Sequence, residues 1–513
     1  MKLCLQCRRE YLDETLNFCL EDGSRLVYIS TTPPVTEILP KTNPASESPT
    51  RVYSSSDSAA TKTEKSIAVL PFINLSNDPD NEYFSDGLAE EILNVLSHVP
   101  GLKFTARTSC FAFRGKEQDI RTIAEALAVN TVLEGSVRRA GNRIRVTAQL
   151  INAADGYHLW SERFDRELTD VFEVQDEIAT SIATALKVKL TDETSARSHQ
   201  PNLPAYDAFL KGRHEYYRFN PEAFVHAEAY LKRAASLDPE WADPYSALSD
   251  LYFTLAFYGW RSLEEMMLQS RTAAHRALEL NASDPMANAV LGLISALHDY
   301  DWNEAAERFA FVQATESLTP NVRLYQLFYL IALGRFAEAK DAIAKAIAQD
   351  PLNSFWPSRL AWVFVCAEEY DDAIAAARKG LELDDRNYQA MLLMALALGF
   401  GGREAEALEV AEEMFRLAPF DSFGRGFLAA LLKKSGAAQR AQQMIIAMTG
   451  ALPIGMTLYH LVCGEIDEAI AWYRKDIEER RPNAAMIARA AYLKPMRENP
   501  KWPEIARMMN LPE

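Results

Sequence analysis

Three cysteines, Cys4, Cys7 and Cys19, fall within the first 19 residues of a 513-residue chain that has six in all. That crowding fits a metal site in a reducing compartment better than a disulfide framework. A second group with chemical potential is cationic. Arg138, Arg139, Arg143 and Arg145 lie around one hairpin, with Arg107, Arg114 and Lys116 upstream, so this region could hold an anion. Arginines alternating along a strand ordinarily form its wet face, no aromatics interleave with these, and the chain carries a formal charge of −17. Nucleic-acid binding is therefore not expected. Tyr83, Asp86, His158, Trp160 and Glu162 could be drawn into one pocket, but no nucleophile with a paired base is visible. Trp160 then reads as core and the carboxylates as caps or solvent-facing groups. Cys110, Cys366 and Cys463 read as packing residues.

The elements that must position these groups divide the chain into five parts. Residues 1–28 form a module too small to bury a core, which something must staple. Residues 29–64 are rich in Thr, Ser and Pro without apolar period and read as a disordered tether. Residues 65–190 read as an α+β domain, with a strand at 66–72, a helix at 86–96, a strand at 103–107 and a helix at 120–127. A hairpin at 132–151 follows, turning through Ala140-Gly141-Asn142, then a strand at 158–164 and a helix at 171–190. Residues 204–494 are helical throughout, and 495–513, with Pro495, Pro500, Trp502 and Pro503, read as a cap on the last apolar face. No apolar run reaches the ~18–20 residues of a membrane span, and the first residues lack the ~7–15-residue apolar stretch of a secretory signal. A cytoplasmic location is expected.

Within the helical part Ala339, Ala373, Ala407 and Ala441 fall 34 residues apart. Ala361, Ala395, Ala429 and Cys463 form a second small column, and Leu360, Met394, Leu428 and Val462 a large apolar one, while Pro351, Asp385, Pro419 and Pro453 close each unit. Small residues at two fixed places let paired helices approach, and the large ones fill the seam.

The unit resembles the tetratricopeptide repeat, with Leu360, Ala361, Phe364, Ala373, Ala377, Gly380 and Asp385 at that family's signature positions. The stretch from Trp260 to Gln269 departs from its length. If the register follows the family, Phe355, Ser358, Trp362, Leu392, Leu396, Phe423 and Ala430 line an apolar inner groove. That groove lacks the Lys and Asn positions that clamp an acidic terminus, so the resemblance implies an amphipathic helix as partner. The middle domain is similar to the domain related to the TolB amino-terminal region and the FlgO family. The motifs that carry the likeness include Tyr83-Phe84-Ser85-Asp86-Gly87-Leu88, Leu133-Glu134-Gly135-Ser136 and Gly156-Tyr157-His158-Leu159-Trp160. In such chains the pair often accompanies a cyclase, kinase or winged-helix output. No Gly-rich phosphate loop, kinase catalytic loop or cyclase metal-site pattern is present here. The first module resembles short bacterial zinc ribbons, with Cys4, Cys7, Cys19 and Asp22 spaced Cys-x2-Cys-x11-Cys-x2-Asp. That resemblance implies one zinc ion, with Asp22 in the usual fourth-cysteine slot. The expected architecture is a zinc-ribbon-like module, an α+β domain and an all-α tetratricopeptide-repeat superhelix. The expected role is a non-enzymatic protein-binding scaffold, the alternative a regulator-like chain without an output domain.

Overall fold

The computed structural model describes residues 2–4, 10–11, 26–28, 65–76, 78, 81–97, 99–116, 118–188, 199–315, 318–446 and 453–512. The chain separates into two compact units, Met1–Lys62 and Thr63–Glu513. In the first, β1 (Lys2–Cys4) pairs antiparallel with β2 (Glu10–Tyr11) and β3 (Leu26–Tyr28).

The second unit opens with a sheet of β4 (Lys65–Val69), β5 (Ile73–Asn74), β6 (Leu102–Phe104), β7 (Thr131–Ala140), β8 (Arg143–Asn152) and β9 (His158–Glu167), in the order β6-β4-β7-β8-β9 with β5 beside β7. β4 runs parallel to β6 and β7, whereas β7, β8 and β9 are antiparallel. The run 66–70 is continuously apolar after Ser66 because both faces of β4 are covered. Ile67 and Val69 face α1 (Glu82–Ser97) and α4 (Val171–Ala185). Ala68 and Leu70 face α2 (Arg107–Phe111) and α3 (Ile120–Ala126). Ala140 pairs with Arg143, so the hairpin turns through two residues, Gly141 and Asn142, and Gly141 takes the positive φ of +59° that such a turn needs.

From Leu203 the chain is a tetratricopeptide-like stack of antiparallel helix pairs. These are α5 (Leu203–Tyr217) with α6 (Pro221–Leu237), α7 (Ala242–Phe257) with α8 (Leu263–Leu280), and α9 (Pro285–Ile294) with α10 (Trp302–Ala314). Then come α11 (Pro320–Ala332) with α12 (Phe336–Gln349), α13 (Phe355–Cys366) with α14 (Tyr370–Leu383), and α15 (Tyr388–Phe400) with α16 (Glu404–Leu417). The last pairs are α17 (Ser422–Lys434) with α18 (Ala438–Ile446) and α19 (Pro453–Val462) with α20 (Ile466–Glu478). Ala339, Ala373, Ala407 and Ala441 are all fully buried in the pair seams, as the 34-residue column requires.

The turn inside each pair takes a left-handed residue at Gly334, Glu368, Gly402 and Gly436, 34 apart, and then at Gly464, 28 later. The interval that holds α18 and α19 is therefore six residues short, which corrects the columns read by counting 34. Cys463 lies half-exposed at the turn instead of between helices, and Thr457, 1% exposed, holds the position that Ala429 holds in α17. Pro453 opens α19 and does not close a unit.

Beyond α20 the chain turns back into the stack. α21 (Pro482–Ile487) packs on α11, residues 491–493 pack on α13, and Tyr492 stacks on Phe400 with ring centroids 5.3 Å apart. α22 (Lys494–Arg497) and α23 (Trp502–Met508) follow, Trp502 stacking on Tyr473. Trp302 donates its indole N–H to the Met509 carbonyl at 3.0 Å. A π turn at Ser295–Asp299 ends in Tyr300 at φ +63°, whose ring lies under the Arg480 guanidinium, 4.6 Å away.

The sheet domain is docked on the helices at two places. At the first, α1 meets α5. Gly87 faces Leu210 so closely that a Cβ would lie 2.6 Å from its side chain, and Tyr83 donates to Asp207. Buried Glu90 there pairs with Arg107 and Arg213 and accepts from Tyr217 at 2.8 Å. Burial alone would raise the Glu90 pKa, but the two guanidinium groups outweigh it and hold it below the usual range. At the second, Asp350 accepts from the Ser109 N–H at 2.9 Å and hydroxyl at 2.6 Å, and Leu352 packs on the Ala68 face of the sheet.

Candidate functional site

The first helices of successive pairs carry an apolar stripe towards the inside of the stack, and the folded-back segment covers part of it. What stays uncovered is a cavity of about 200 Å³. Trp362 from α13, Leu392 and Leu396 from α15, and Phe423 from α17 line it, so the structure brings four of the seven expected groove residues together. Trp362 and Leu392 are each 9% exposed and Leu396 2%, because Tyr492, Met486 and Ile487 close the cavity from the other side. Phe355 stands apart, edge-on to Trp356 at 5.3 Å. Ser358 accepts from Asn387 at 3.0 Å, and Ala430 is fully buried; both support the wall without lining it. The stretch around Trp260 widens the loop between α7 and α8 and carries Tyr258 and Trp260, stacked 5.2 Å apart, into the same cavity. Phe420, 63% exposed and edge-on to Tyr388 at 5.8 Å, stands at its mouth.

The cation in the lining was not anticipated. Arg359 is 8% exposed, its guanidinium lies 4.5 Å from the Phe355 ring centroid and 5.6 Å from that of Trp362, and it donates to the Gln389 side-chain oxygen. Desolvation pulls its pKa below the ordinary arginine value. The signal for it was present: Phe355, Arg359 and Trp362 sit at i, i+4 and i+7, placing a cation inside an apolar stripe.

A second, wider cleft of about 1390 Å³ lies between the β7–β8 hairpin and α5. Four of its cations are paired with acids. Arg139 pairs with Asp207 at 2.9 Å, Lys211 with Asp207 at 2.9 Å, and Arg143 and Arg145 with Asp165 at 2.7 and 2.6 Å. Arg107 and Arg114, from the same cationic group, pair with Glu90, Glu82 and Asp86. Tyr83 and Asp86 belong to the α1–α5 seam, while His158 and Glu162 are exposed on β9 and Trp160 leans on Phe164 at 6.3 Å. Cys110 and Cys366 are fully buried, which pushes both thiols up, Cys110 to about 12. Such thiols stay protonated and pack.

Of the expected zinc ligands, Cys7, Cys19 and Asp22 lie outside the described residues, and Cys4 is described only as backbone at the end of β1. Among the described residues no cluster of three or more His, Cys, Asp or Glu side chains could hold a metal, and no helix is long and apolar enough to cross a membrane.

Residues 63–181 match the family described as HilA/YgeH-like transcriptional regulator, second domain. Among curated proteins the chain is 41% identical over 232 residues to a putative adenylate cyclase 3 of Rhizobium meliloti, covering 44% of this chain and 40% of that protein. It is 22% identical over 363 residues to the transcriptional regulator HilA of Salmonella typhimurium, covering 69% of this chain and 63% of that protein. The chain thus spans less than two thirds of either relative. Among solved structures it is similar to YrrB, a TPR protein with an unusual peptide-binding site, at 16% identity and a TM-score of 0.27, covering 37% of this chain and 92% of that one.

Proposed function

We propose that this chain is a non-enzymatic, cytoplasmic scaffold whose helical stack captures a protein partner. The captured element is an amphipathic helix laid across the mouth of the inner cavity. The observation that carries this reading is Phe420, 63% exposed at the mouth of a cavity walled by Tyr388, Trp362, Leu392, Leu396 and Phe423. An exposed aromatic anchor beside an apolar pocket is the arrangement on which interface energy concentrates. The FlgO/TolB-like domain and a zinc ribbon held by Cys4, Cys7, Cys19 and Asp22 add further contacts, the ribbon brought near by the tether of residues 29–64. Capture from source-cell lysate by the full chain and by Phe420→Asp, read by mass spectrometry, tests it. Partners lost selectively from a variant with unchanged helical circular dichroism support the mouth as the docking surface, and equal recovery by both proteins refutes it. Elemental analysis of purified protein tests the ribbon: about one zinc per chain is expected, and its loss in Cys7→Ser.

A second reading is favoured by the match of residues 63–181 to a regulator domain and by the names of the curated relatives. In it the chain is a regulator-like protein whose arginine hairpin contacts nucleic acid. Salt-sensitive retention on DNA, lost in Arg138→Ala/Arg143→Ala, would favour it over the scaffold.

A further inference from the structure

The cavity treats its one arginine unlike the ion-paired arginine of the α1–α5 seam. Arg213, at the α1–α5 seam, is matched by Glu90 and by Glu91 at 2.7 Å. Arg359 is as well enclosed, yet no carboxylate lies within ion-pair distance of it among the described residues, and its Nε has no acceptor. Its contacts are two aromatic faces and the Gln389 amide oxygen, which fixes the guanidinium plane and carries no net charge. Arg107, Arg323, Arg425 and Arg489 also have an Nε without an acceptor, but Arg107 pairs with Glu90, Arg425 and Arg489 each donate to a backbone carbonyl, and none of the four lines the cavity. Burying a cation without a counter-charge is costly, and an aromatic sandwich offsets only part of that cost. The arrangement makes sense when a ligand brings the anion.

We propose that this cavity binds a small monocarboxylic acid with an apolar tail, its carboxylate pairing with the Arg359 guanidinium and its tail packing against Trp362, Leu392 and Phe423. The planar guanidinium fork matches a carboxylate in two parallel hydrogen bonds. One arginine supplies one positive charge, and the acid that lines the same cavity, Asp421, is engaged in capping α17 through the Gly424 N–H at 2.7 Å. A doubly charged phosphate would therefore exceed the single cation that faces it; a monoanion meets a matched charge. The volume of about 200 Å³ lies below the ~300–1,000 Å³ of sites for drug-sized molecules, which limits the tail to a single ring or a short branched chain. The proposal concerns the interior of the cavity, not the Phe420 mouth, and does not rest on the scaffold reading.

The test uses the full chain with 3-phenylpropionate and 4-methylpentanoate, their primary amides, and a short peptide ending in phenylalanine, followed by calorimetry and tryptophan fluorescence. An acid is expected to bind saturably at one site and raise the melting temperature, with its amide about tenfold weaker or worse, the usual loss when a charged hydrogen-bond partner is removed. Arg359→Met is expected to abolish binding while melting no lower than the unliganded wild type, because it removes an unmatched buried charge. Gln389→Glu is expected to do the same by supplying an internal counter-ion. Both variants therefore report on the charge even if one folds poorly. No saturable binding of either acid, amides binding as well as acids, or undiminished binding by both variants would overturn the proposal. So would binding of the peptide alone, which would assign the carboxylate pocket to a chain terminus.

Discussion

Asp476 on α20 is fully buried, neither carboxylate oxygen has a hydrogen-bond partner, and the nearest cation, Arg481 Nε, is 3.9 Å away. Burial pushes its pKa up to about 8, against a smaller pull from Arg481. Since an unfolded aspartate titrates near ~3.9, the unfolded chain loses this proton first. Stability is then full below about pH 4, falls as pH rises towards 8, and levels off above it. Asp476→Asn removes that slope and is expected to stabilise the protein at pH 7.5 by on the order of 2 kcal/mol. Urea denaturation at pH 4.5 and 7.5 checks it: the variant's advantage should shrink at the lower pH, and an advantage independent of pH would refute the assignment. Neither Asp476 nor Arg359 could be recognised as buried from the sequence with certainty of position. Arg359 at least interrupts an apolar stripe, whereas Asp476 sits among the charged residues at the end of an amphipathic helix, where a solvent-facing acid is ordinary. The chain beyond α20 folds back beside it, where Tyr473 of α20 donates to the Ala484 carbonyl at 2.6 Å.

At the scale of the element, the helix pairs were legible because their constraint is local and recurrent. A small residue must stand wherever two helices touch, and the same spacing returns each unit. The sheet domain was legible for a related reason: strand 65–69 and the hairpin alternate or run apolar according to which faces are covered. The turn positions yield a sharper test. Glu368 adopts φ +67° where its sister pairs place Gly334, Gly402 and Gly436, and its side chain is exposed with no ion pair among the described residues. A side chain in the left-handed region costs roughly 1 kcal/mol relative to glycine, partly returned through the unfolded chain's greater freedom. Glu368→Gly is therefore expected to gain about 0.5 kcal/mol in thermal or chemical denaturation. A loss of that size would show that the strain is absorbed elsewhere.

At the scale of the molecule, the sequence marked the end of the repeats but not where the chain beyond them would pack. Residues 480–512 follow no repeat period, and their contacts lie far back along the chain, as in the 2.8 Å hydrogen bond between His298 Nδ1 and the Arg480 carbonyl. The same holds for the seam at Asp350, which joins the sheet domain to the turn between α12 and α13. Asp350→Ala leaves the buried Ser109 N–H and hydroxyl without that acceptor, and a loss of about 2–3 kcal/mol is expected. In urea the variant is expected to unfold its sheet domain at a lower midpoint, relative to the helices, than the wild type does; an unchanged separation of the two transitions would refute the coupling.

The folded-back segment also sets an order of events at the ribosome. Trp362, Leu392 and Leu396 are synthesised well before Met486, Ile487 and Tyr492, the residues that cover them. At about 5–20 residues per second, this leaves an apolar surface open for seconds on every nascent chain. A chaperone that recognises exposed apolar helices has that interval in which to engage, and a stalled or truncated translation product would leave the same surface uncovered.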